Sequence, residues 1–460
     1  MSLTAEIVSR MAAAGPLPED VSRTARYHLL DAIGVGFAAA TAEVGSAWQQ
    51  YAKQVSRHGG PATVFGAASG ASPAEAALIN GGLIHSLEFD DTHTGSIVHG
   101  SAVLAAAALA AGEAAGVSGA EFLRSYTLWY EVLIRIGLAA AGGFQQKGFQ
   151  LTSVGGALAA AGIAANLKGL EAAKTQAAVG IALSQASGVF EFLSNGSTVK
   201  SMHPGWAAHA GLKAADLAAA GLTGPETALE GRFGLFRVFA GDPQAAERFR
   251  GLLDHLGRVW HLKEAAYKFH PCCHYLHPFI EAAGELSRRG VVPNEIETLE
   301  FGVPAGAASI ICEPWEEKCV AEGHHARWSL PVSVAMQLVD GSVTLDSFER
   351  PASQSVHALA ARSNWVVLED SRFPARFDAR IRCRTTGGAE HVIRIDDVYG
   401  NASRPPSDED ILAKFRANLG RSATPAETAA IIEAILALPE AGDLSALSAA
   451  LRAPAQRNAA

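Results

Sequence analysis

A chain of 460 residues exceeds the size at which one hydrophobic core usually keeps growing, so two domains are expected. With 49% hydrophobic and 18% charged residues, the composition is globular and excludes disorder. A formal charge of -9, from 37 basic and 46 acidic residues, provides no field that would gather nucleic acid or an anionic membrane, so an anionic substrate needs a local cationic pocket.

In chain order, the opening MSLTAEIVSRMAAAG lacks the basic-then-apolar pattern of a secretory signal and reads as a short amphipathic helix, which points to the cytoplasm. From there to about Leu262, Ala, Leu and Gly recur at helical spacing, and an all-helical region is expected. Ser72-Pro73-Ala74-Glu75 combines an N-cap Ser, Pro at the first helical position and Glu at the third, opening a helix toward His85. The Ala-rich stretch 101–116 is too short and too weakly apolar for a membrane span and reads as a buried helix. Ser118 and Glu121 repeat the capping signal before a mostly apolar run in which Glu131 stands four residues ahead of Arg135, an arrangement that supports a central buried helix. Abundant Ala and Gly let such helices approach closely, so a compact bundle follows.

The character changes after about Lys263. Segment 297–303 alternates, and ARIRCRTTGGAEHVIRID holds two period-2 runs joined across Gly387-Gly388, which predicts a hairpin. Helical periodicity from Pro278 to Arg289 and from Ser329 to Val339 makes residues 263–398 a smaller α+β domain. Ser407-Asp408-Glu409-Asp410 then caps another helix, and the Ala/Leu-rich remainder returns to the helical domain. The expected fold is thus mainly α, with residues 1–262 and 399–460 in a large all-helical domain and 263–398 inserted.

Chemistry-bearing residues cluster in several places. His85, Glu88, Asp90, Asp91, Thr92, His93 and His99 lie at a helix end, either as a solvated terminus or as a site. Adjacent Asp90 and Asp91 cannot both face one ligand from a regular helix, which leaves one for capping the next helix. Asn195-Gly196-Ser197-Thr198-Val199-Lys200-Ser201-Met202-His203 is either a plain connection or a carboxylate-binding loop built from backbone N–H groups, hydroxyls and one ammonium. His270, Cys272, Cys273, His274 and His277 admit three readings: zinc ligands at a spacing unlike a standard finger, a helix start with a partly buried His, or a general acid/base. The five cysteines fit neither a disulfide framework nor paired CxxC ligands, so reduced thiols are expected. His324, His325 and Arg327 either add a cation to an anion pocket or form a surface loop.

The segments GGPATVFG, NGGLIHSLEFDDTH, STVKSMHPGWAAHAG, KFHPCCHYLHP and ARWSLPVSVAMQLVDGSVTLDSF occur in this order, and together they resemble the MmgE/PrpD (2-methylcitrate dehydratase-like) family over nearly the whole chain. The resemblance implies a homodimer with an active site between the domains. It also implies chemistry without metal or organic cofactor on small di- or tricarboxylates: dehydration of 2-methylcitrate, decarboxylation of cis-aconitate or epimerisation of iminodisuccinate. Carried over residue by residue, Asp91, His99, Lys200 and His277 are the catalytic candidates. Asp90, Thr92, Gln150, His203 and His274 are the substrate-binding candidates. Lys200 and His99 are expected to hold carboxylates, His277 to transfer a proton, and Asp91 with Thr92 to orient the site. Gln150 departs from the Gly-Phe-His of dehydratase-like and decarboxylase-like members, because an amide hydrogen-bonds but does not shuttle a proton. The leading expectation is a hydro-lyase, followed by an epimerase and then a decarboxylase; a non-catalytic carboxylate-binding protein is the alternative of another class.

Overall fold

The computed structural model describes residues 1–194 and 197–459 and separates into two compact units, Met1–Tyr267 with Ser407–Ala460, and Lys268–Pro406. The changes of unit fall a few residues beyond the positions expected from composition, and local bonding explains both shifts. Residues 263–267 stay with the helices because Thr92 and Ala266 exchange backbone hydrogen bonds of 3.0 and 2.8 Å. Residues 399–406 stay with the second unit because the Arg404 guanidinium binds the Asp397 carbonyl and both oxygens of Glu281.

In the first unit, the described residues form helices and turns joined by only isolated β-bridges. The expected starts are present. Ser72 accepts from the Glu75 N–H at the head of helix Pro73–His85, and Ser118 with Glu121 closes a full capping box on helix Gly119–Ala140. Helices Gly100–Ala115 and Leu151–Leu167 are buried almost throughout, which is why their sequences are apolar on every side and carry no amphipathic stripe. Small residues bring the axes together. Helix Met202–Ala219 packs on Pro73–His85 and on Leu151–Leu167, and a Cβ added to Gly205 would lie 2.1 Å from the Leu78 carbonyl oxygen. Only glycine permits that approach. Among the described residues, no single helix is long and apolar enough to cross a membrane.

The second unit carries one four-stranded sheet in the order β2-β1-β3-β4, formed by β1 (Ile296–Val303), β2 (Ser363–Val367), β3 (Ala379–Thr385) and β4 (Glu390–Ile395). The β3–β4 hairpin turns at the anticipated Gly387-Gly388, with Gly388 at φ 83°. Strand β2 was not anticipated: SNWVV has no clean alternation, and its parallel pairing with β1 joins residues far apart in sequence. Helices His277–Arg288 and Leu330–Val339 pack with one another and contribute to this unit's core, to which Leu276, Phe279, Phe301 and Ile381 also belong.

Candidate functional site

Helix Pro73–His85 ends at His85, and the chain then turns through the acidic segment to His99, which precedes helix Gly100–Ala115. Two non-glycine residues in the left-handed region bracket this turn, Glu88 at φ 53° and Ile97 at φ 56°. Such backbone costs about 1–2 kcal/mol per residue, and for a β-branched side chain it is a true outlier. Strain of this kind persists where surrounding contacts fix it and is frequent at functional sites.

The turn folds its polar side chains into a chain of contacts. His85 Nδ1 lies 2.8 Å from Asp90 Oδ2, and its Nε2 lies 3.3 Å from Gln150 Nε2. The other end of the Gln150 amide, Oε1, meets His203 Nδ1 at 2.6 Å. His99 stands edge-on to the His85 ring at 4.8 Å; its Nδ1 is 3.0 Å from the Asp91 carbonyl oxygen, 3.1 Å from Thr92 Oγ1 and 3.5 Å from Asp90 Oδ2. Lys200, on the turn Thr198–Ser201 just before His203, pairs its ammonium with the Glu88 carboxylate. Asp90, Thr92, His99, Gln150, Lys200 and His203 therefore share one region of the first unit. Asn195 and Gly196, the start of the small-residue loop, lie outside the described residues. Burial pushes the His203 imidazole down to about 4, helped by the neighbouring His85 and Lys200, so it is neutral at neutral pH.

Asp91 sits in the same turn with its carboxylate directed elsewhere. It accepts from the Ser101 N–H at 3.2 Å and the Tyr130 hydroxyl at 2.9 Å, pairs with the Ser101 hydroxyl, and lies 2.9 Å from His28 Nδ1. Asp91 is the member of the pair that ties down the start of the next helix; only its backbone carbonyl reaches His99. Burial and the Asp91 charge hold the Tyr126 and Tyr130 hydroxyls far above their ordinary range, so both stay protonated around this carboxylate.

His274 and His277 belong to the second unit, where their rings meet edge-on at 4.9 Å. His277 lines a cavity of about 370 Å³ together with His270, Glu281, Tyr399 and Arg404. Among the described residues its Nε2 has no hydrogen-bond partner, although it is buried. Burial, reinforced by His274, His270 and Lys268, keeps this imidazole well below its ordinary value and therefore neutral. Arg327 is buried rather than exposed on a surface loop: it donates to the Pro271 carbonyl and its guanidinium lies 4.7 Å from the Phe348 ring centre. All five cysteines are free thiols.

Two groups bring ligand-type atoms within 4.8 Å of one another, His85 with Asp90 and His99, and His93 with His261 and Glu264. Hydrogen bonding sets which ring nitrogens are open in each group. A carbonyl oxygen only accepts, so the 3.0 Å contact with Asp91 requires a proton on His99 Nδ1, and the Asp90 carboxylate draws one onto His85 Nδ1; the Nε2 atoms of these two rings are the ones left to accept. His93 Nδ1 accepts the Ser96 N–H at 3.1 Å, which leaves the ring proton on Nε2, 3.5 Å from Glu264.

His85 is the member of the constellation that the sequence reading left without a role. Its signal was its place at the end of a capped helix, five residues before Asp90; nothing in the sequence showed that Gln150 would meet its other nitrogen.

The fold and this region define a mainly helical protein with a histidine–carboxylate–lysine constellation, buried except for the half-buried His99 and Lys200, whose groups are suited to proton transfer and carboxylate binding. The chain belongs to the MmgE/PrpD family: the MmgE/PrpD N-terminal domain matches residues 4–248 and the C-terminal domain residues 270–439. It is 29% identical to cis-aconitate decarboxylase of Mus musculus and to that of Homo sapiens, each over 96% of this chain and 92% of the relative. A cis-aconitate decarboxylase-like protein of Aspergillus oryzae is likewise 29% identical, over 97% of both chains.

Proposed function

We propose that this protein is a cofactor-independent lyase acting on a small tricarboxylate, and that decarboxylation of a cis-aconitate-like acid is its reaction. The observation that carries the reading is the grouping of Lys200 with the His85, Asp90, His99, Gln150 and His203 network inside an otherwise apolar helical unit. Full-length similarity to cis-aconitate decarboxylases supports decarboxylation over the dehydration expected from sequence.

In such a reaction the electron pair of the breaking C–C bond moves through the adjacent double bond onto a remaining carboxylate, and a proton is then delivered to carbon. Lys200 and His99 hold carboxylates, and the Lys200 ammonium offsets the negative charge that builds up on the enolate-like intermediate. Lys200 is also the group placed to supply the proton, because burial keeps His203 and His277 neutral. On the family resemblance His277 and His274 are proposed as further acid–base groups, and Asp91 and Thr92 position His99. A homodimer is proposed on the family resemblance and is tested by sedimentation equilibrium.

A second reading, dehydration of a hydroxytricarboxylate, is favoured by those same neutral imidazoles, which are suited to removing a proton next to a carboxylate. Incubating the purified protein separately with cis-aconitate and 2-methylcitrate, and following carbon dioxide release and product mass, tests both. Carbon dioxide from cis-aconitate supports decarboxylation; loss of water alone transfers the assignment to dehydration. Unchanged mass with altered optical rotation on a chiral dicarboxylate would point to an epimerase, and binding without turnover of any acid to a non-catalytic protein.

A further inference from the structure

We infer that Gln150 is a positioning residue that fixes the tautomer of His203, leaving Nε2 of that imidazole as the site's proton-accepting nitrogen. The inference deepens the acid–base reading above and rests on it for its catalytic part, whereas its structural part stands on hydrogen-bond direction alone.

The direction starts at Asp90. A carboxylate accepts, so His85 Nδ1 donates to it across 2.8 Å, and the other ring nitrogen, Nε2, faces the amide nitrogen of Gln150, a group that only donates. An amide has one end that donates and one that accepts. Gln150 Nε2 donates to His85 Nε2 at 3.3 Å, so its Oε1 faces His203 and accepts from Nδ1 at 2.6 Å. With hydrogen on Nδ1, the neutral His203 ring has its lone pair on Nε2. The amide thereby transmits the polarity of Asp90 through two imidazoles without carrying a proton itself. Packing holds the relay in register: Gln150 and His203 are 5% and 3% exposed, His85 is 1% exposed, and Phe192 lies edge-on to His203 at 5.8 Å. The low basicity of His203 is consistent with a ring kept neutral. In the dehydration reading, a proton removed from substrate carbon goes to Nε2, its electron pair stays on the substrate as an enolate that then expels the hydroxyl, and the imidazolium protonates that hydroxyl as water; in decarboxylation the same nitrogen holds a carboxylic acid proton and passes it to the carbanionic carbon.

The test is two-bond 1H–15N correlation spectroscopy of the full chain labelled with 15N-histidine at pH 7.5, the His203 signals being assigned by their loss in His203→Asn. The expected result is an unprotonated Nε2 and a protonated Nδ1 on His203 in the wild-type protein. In Gln150→Leu the two tautomers become mixed, and kcat falls roughly tenfold or more with a smaller change in KM. Gln150→His, which also has one donor and one acceptor, restores the wild-type tautomer. An unprotonated Nδ1 on wild-type His203 overturns the inference, as does a Gln150→Leu protein whose His203 tautomer is unchanged. The wild-type spectrum decides even if the Leu variant does not fold. Because the spectrum needs no substrate, the expected tautomer in a protein that turns over no carboxylic acid would sink the lyase reading and leave the relay standing.

Discussion

The ammonium of Lys414 donates to the carbonyl of Phe89 at 2.9 Å and stands 3.9 Å from the centre of its ring, directly before Asp90 in sequence. The same ammonium is 2.7 Å from the Asp31 carboxylate, and all three residues are buried. A lysine from the returning C-terminal segment thus secures the acidic turn. Lys414→Met leaves Asp31 without its cation and is expected to lower unfolding stability by about 3–5 kcal/mol. Urea unfolding measures it, and Asp31→Asn combined with Lys414→Met should recover part of the loss.

Gly205 sits two residues after His203, and its Cα faces the Leu78 carbonyl at a distance no side chain tolerates. Gly205→Ala must push two helices apart, and about 1–3 kcal/mol of destabilisation is expected from overpacking. Thermal unfolding reads the stability. An unchanged melting temperature would show that the helices can part at no cost.

Lys200 and Glu88 form the ion pair nearest His203 in sequence. On the proposed substrate, Lys200→Met should lose on the order of a hundredfold in kcat/KM, as a charge-assisted contact to a carboxylate disappears. His277→Ala should also lose most of its turnover. Near-wild-type kinetics in both variants would remove these residues from the site.

Acid stability follows from two buried imidazoles. His203 is held at about 4 in the folded protein against an ordinary 6.5, and His277 is displaced in the same direction. The unfolded chain therefore takes up these protons first, so their contribution is fully present above about pH 6.5 and is lost as pH falls toward about 4. Urea midpoints measured between pH 7.5 and 4.5 should fall along this path. His203→Gln should flatten part of the slope, and identical slopes in both proteins would exclude His203 as a source.

Much of the helical architecture was legible because its signals are local. Ser118 with Glu121 and Ser407 with Asp410 each close a capping box between residues three apart, and the Gly387-Gly388 turn is written in adjacent positions. Strand β2 escaped because parallel pairing depends on a distant partner, and Arg327 was open to a surface-loop reading because burial is not a local property.

The sequence by itself determined the helix starts, the hairpin and the stock of ionisable groups near His85, Lys200 and His277. Tertiary structure alone decided that Asp90 faces two histidines while Asp91 turns to Ser101 and Tyr130, and that the Gln150 amide bridges His85 and His203. The physical reason is range: capping and turn chemistry act over a few residues of backbone, whereas hydrogen-bond direction and desolvation depend on which atoms the packed helices bring within about 3 Å.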